Sequence, residues 1–95
     1  MFNLAPVGIF QSSSEGKLVY ANQAAAEIFG FATPAEAIAH YEDLAAQLYV
    51  DPTRRKEFLE EIRNTGRVEH FSYRARRRDG SEIILDKNAR ISRWT

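Results

Sequence analysis

The sequence predicts an α+β domain in which helices are inserted between two antiparallel β-hairpins. Three observations carry this reading. Two short apolar runs near the N-terminus flank a turn-forming Ser13-Ser14-Glu15-Gly16 segment. The middle of the chain holds three sets of helix start and stop signals. From Val68 onward the pattern alternates with a period of two up to Asp79-Gly80, and a second apolar run follows that turn.

Taken in order, Gly8-Ile9-Phe10-Gln11-Ser12 and Lys17-Leu18-Val19-Tyr20 form the first hairpin. Asn22 supplies an N-cap for Gln23 to Phe29, an Ala-rich helix closed by Gly30. Thr33-Pro34-Ala35-Glu36 joins a capping box to a proline at the first helical position, so a second helix runs from Pro34 to about His40. Residues 41 to 50 fit either a loop or a single helical turn, anchored by Leu44, Leu48, Tyr49 and Val50. Asp51-Pro52 opens a longer helix with Phe58, Leu59 and Ile62 on one face, and Gly66 ends it. In the second hairpin Phe71, Tyr73 and Ala75 share one parity. On the return strand Ile83, Leu85, Ala89 and Ile91 share one, with Ile84 and Trp94 on the other.

Ninety-five residues make one domain, 1–95, with the first six as a flexible lead-in. A 44% hydrophobic content, including six Phe, four Tyr and one Trp, is enough for a small core, so a disordered chain is excluded. Cysteine is absent, which removes disulfides, thiolate nucleophiles and cysteinyl adducts. No apolar run reaches the roughly 18 residues of a membrane span, and the expected address is the cytoplasm, without membrane insertion. The formal net charge is zero, but residues 1–51 carry six acids against Lys17, and residues 52–95 carry seven acids against twelve Lys and Arg. Either the two halves attract each other within one fold, or a basic face is offered to a partner.

Leu18-Val19-Tyr20-Ala21-Asn22-Gln23-Ala24-Ala25-Ala26-Glu27-Ile28-Phe29-Gly30-Phe31 resembles the N-terminal signature of PAS domains, the sensory-box modules of bacterial signalling proteins. The helix from Pro52 to Gly66, and the hairpin running from Tyr73-Arg74 through Arg78-Asp79-Gly80-Ser81, resemble later parts of that family. The resemblance extends from about Val7 to Ile91. It implies a PAS-like antiparallel sheet of five strands, with helices packed on one face around a small pocket. It also implies a module that senses ligands, light, oxygen or redox state, or holds partners together, ahead of an effector domain such as a histidine kinase or cyclic-dinucleotide enzyme. One departure stands out: the family's final strand and its Asp-Ile-Thr-like end are missing after Trp94-Thr95. In the family that strand lies between the first strand, Gly8 to Ser12, and the last. Two rows of backbone groups would then want partners, and the expectation is a homodimer that pairs through the incomplete sheet, with Ile84 and Trp94 covering its outer face; the alternatives are that the sequence is part of a longer chain or that the sheet closes directly on itself.

Candidate site residues follow from residue type. Haem-binding members of the family carry a His on the long helix; here that helix has none, and His40 and His70 lie elsewhere without metal-ligand spacing. Adduct-forming flavin chemistry needs a Cys. The expectation is therefore no haem, flavin or metal cofactor. A pocket for a small organic ligand would be walled by Phe10, Phe29, Phe31, Tyr41, Phe58 and Leu85, with Tyr20, Asn22 and Tyr73 supplying polar groups; the alternative is that these side chains simply fill the core. The run Arg74-Ala75-Arg76-Arg77-Arg78 invites a nucleic-acid reading, but period-two geometry splits it across the sheet and no phosphate loop accompanies it. No catalytic constellation is indicated. The function expected is a non-enzymatic sensory and protein-interaction module acting through dimerisation and small-ligand binding, without nucleic acid. The alternatives are an autonomous small-molecule receptor and a basic-hairpin nucleic-acid binder.

Overall fold

The computed structural model describes residues 7–91; the expectations placed on residues 1–6 and on Trp94 lie outside them. The elements are β1 (Phe10–Ser12), β2 (Leu18–Ala21), α1 (Gln23–Ile28), α2 (Pro34–His40), α3 (Leu44–Gln47), α4 (Pro52–Thr65), β3 (Arg67–Arg76) and β4 (Glu82–Arg90). The three expected helices form between the two hairpins, and residues 44–47, expected as a loop or a single helical turn, add a fourth, so the order is ββαααα-ββ.

The helix ends form where the capping chemistry says they should. Asn22 Oδ1 accepts from Ala25 N at 2.8 Å, opening α1. Gly30, at φ 91°, closes it with a paired motif: Phe31 N donates to Ala26 O and Gly30 N to Glu27 O. Thr33 Oγ1 accepts from Glu36 N at the start of α2, and Asp51 Oδ1 from Thr53 N at the start of α4. Gly66, at φ 80°, ends α4 and turns the chain into β3.

Within the described residues the strands form two separate antiparallel pairs, β1–β2 and β3–β4, and not one continuous sheet. The two pairs are the two expected hairpins, and with the helices they give the expected α+β layout. β1 is three residues long and meets only β2; β4 pairs only with β3, so their facing edges stay apart. Both ladders are irregular. The β1–β2 register slips between Gln11 and Ser12, which leaves Leu18 and Ala21 buried while Val19 and Tyr20 both face out. In β3 a bulge at Glu69-His70, with His70 at φ 53° and its N–H donating to Asn88 Oδ1, shifts the inward parity so that Val68 and Phe71 are both buried.

The core sits between the helices and the inner faces of these hairpins. Leu18, Phe29, Tyr41, Leu44, Leu48, Tyr49 and Val68 are fully enclosed. Edge-to-face contacts chain Phe10 to Phe29 and Phe29 to Tyr41, and Phe31 packs on Tyr41. Tyr49 stacks on Tyr73 at 4.5 Å and Phe58 meets Phe71 at 5.4 Å. The Tyr41 hydroxyl finds Arg76 O at 2.9 Å, and burial, partly offset by Arg77, raises its pKa to about 12. The four salt bridges of the described residues all join positions within 54–86, so ion pairs do not tie the acidic half to the basic half.

Candidate functional site

Between the facing edges of β1 and β4 lies an open groove of about 870 Å³, floored by α4. The sequence places its walls by simple periodicity. On α4, Arg55, Phe58 and Ile62 share the buried stripe at i, i+3 and i+7. On β4 the inward positions are Ile83, Leu85, Lys87 and Ala89. Arg54 fixes the rotation of α4: its guanidinium donates to Ser72 O, pairs with Glu57 at 2.9 Å and covers the Phe71 ring at 3.9 Å. With Arg54 clamped against β3, Arg55 is directed into the domain, where only 3% of it remains exposed.

Five of the predicted pocket residues meet at this groove: Phe10, Phe29, Phe58, Tyr73 and Leu85. Four do not. Phe31 and Tyr41 do not reach the groove: Tyr41 packs behind Phe29, and Phe31 packs on Tyr41 and His40. Tyr20 is 46% exposed because of the β1–β2 register slip. Asn22 is consumed by structure: besides capping α1, it accepts from Ile9 N and donates to Val7 O, holding the strand entry in place. Ile84 is 73% exposed on the outer face of β4.

Two groups that residue type alone did not mark dominate the groove's electrostatics. Arg55 Nη2 donates to Ser12 Oγ at 3.3 Å, whereas its Nη1 is buried with no hydrogen-bond partner among the described residues. Lys87 Nζ donates to Tyr49 Oη at 2.8 Å and lies 3.6 Å above the centre of the Phe58 ring, with Tyr73 at 4.9 Å. Removal from water, aided by the nearby Arg55 charge, lowers the Lys87 pKa from 10.5 to about 7. The Tyr73 hydroxyl, beside them, is buried with no hydrogen-bond partner among the described residues, and burial pushes its pKa far up. Burial likewise raises Tyr49, while Arg55 pulls it back. The signal for both cations was in the periodicity: Lys87 occupies the apolar parity of β4, and Arg55 the apolar stripe of α4.

The arginine-rich hairpin is committed elsewhere. Arg77 Nε donates to Ile28 O at 2.9 Å, satisfying a carbonyl at the end of α1, and Arg78 N donates to Phe29 O. Arg78 leans over Phe31, and Arg74 lies 3.6 Å from Glu82. Among the described residues no three His, Asp or Glu side chains come together as a metal site, and no helix is long and apolar enough to cross a membrane.

Neither the curated proteins nor the solved structures give a significant match to the chain. The family model described as PAS domain matches residues 6–93, nearly the whole sequence, and the α+β layout is consistent with it. On that match, the chain belongs to the PAS domain family of sensory and signalling modules.

Proposed function

We propose that this domain senses a small organic molecule in the groove between β1 and β4, without catalysing a reaction, and works as a homodimer within a larger bacterial signal-transduction protein of the histidine-kinase or cyclic-dinucleotide type. The observation that carries the reading is the groove itself. Its walls are mostly aliphatic and aromatic, and a few buried polar groups converge at its floor, the composition expected of a small-molecule site. It opens onto two strand edges, so a bound molecule touches both hairpins and α4 together. That arrangement would couple occupancy to the separation of β1 and β4.

Dimerisation rests on a second observation. The facing edges of β1 and β4 lack strand partners among the described residues, and Ile84 presents an apolar side chain beside Arg74 and Glu82 on the outer face. Packing of a second copy against the outer face of β4 would cover Ile84 and leave the groove open. The nucleic-acid reading is not favoured, since Arg77 and Arg78 already dock the hairpin onto α1.

Native mass spectrometry of the gently purified protein tests the ligand reading. A bound mass of a few hundred daltons, released on denaturation, supports it; the bare chain mass, with no thermal stabilisation by a panel of small organic compounds, overturns it. Light scattering at low micromolar concentration tests the dimer. A folded monomer whose state is unchanged by Ile84→Glu overturns that part.

A further inference from the structure

We draw no further inference here: the strongest candidate, the patch on the outer face of β3 and β4 where Ile84 stands exposed beside Arg74 and Glu82, belongs to the surface already assigned to a second copy, and nothing in the structure shows what else would cover it.

Discussion

Replacing Lys87 by Met removes an ammonium from the floor of the groove and leaves an apolar chain of similar length. The size of the effect follows from the desolvation of this amine, whose pKa is lowered from 10.5 to about 7. At about 1.4 kcal/mol per unit of pKa, carrying the charge costs the folded state up to about 5 kcal/mol. Partial exposure of the side chain and local relaxation bring the measurable figure to about 2–4 kcal/mol, still a large share of the roughly 5–15 kcal/mol that holds a domain together. The sign is fixed by linkage. The unfolded chain binds the proton up to pH 10.5 and the folded one only up to about 7, so the cost is full below pH 7 and disappears as pH rises toward 10.5. Above about pH 10 the order reverses, because Tyr41, Tyr49 and Tyr73 ionise more readily once unfolded. Urea denaturation of the wild type should therefore show stability climbing from pH 6.5 to about 9.5 and falling beyond. Lys87→Met should be more stable than the wild type at pH 6.5 by about 2–4 kcal/mol, less about 1 kcal/mol for the Tyr49 hydroxyl it leaves unpaired, and should lack the climb. A wild type with a flat profile from pH 6.5 to 9.5, or a methionine variant that keeps the climb, refutes the reasoning.

Other expectations can be checked by the same denaturation assay. Asn22→Ala loses the α1 cap and the two bonds to Val7 and Ile9, and should cost about 1–2 kcal/mol. Gly30→Ala places a side chain at φ 91° about 3.5 Å from Arg78 Cβ; a cost above about 1 kcal/mol is expected, and a neutral result would mean that the turn closing α1 is not formed. Arg76→Ser with Arg78→Ser should cost under about 0.5 kcal/mol and leave the affinity for DNA and RNA unchanged at physiological salt. A micromolar nucleic-acid affinity lost in that double variant would restore the basic-hairpin reading.

The element order was legible because the punctuation is local. Asn22, Thr33-Pro34 and Asp51-Pro52 start helices by chemistry confined to three or four residues, and Gly30 and Gly66 stop them by a backbone angle that glycine favours. What escaped was whatever depends on register. A slip of one residue at Gln11/Ser12 sends Tyr20 outward, and the bulge at Glu69-His70 moves Val68 onto the same inner face as Phe71. No local signal announces either. The cations of the groove are a different case. Lys87 sits in an alternation with Ile83, Leu85 and Ala89, and Arg55 lies three residues before Phe58. Residue type alone points to the aromatics and not to these two cations, although a charge on an apolar parity is the informative exception. Phe31 and Tyr41 share one chain of ring contacts with Phe10 and Phe29 yet do not line the groove, a difference set by tertiary packing.

The central claim is that Lys87 stands desolvated on the inner face of β4 beside Arg55, with no acidic partner among the described residues. Titration of the Lys87 side-chain amine by NMR tests it most directly. An amine that titrates near pH 7 is the expected result, since removal from water disfavours the charged form. A titration near the ordinary lysine value would contradict it.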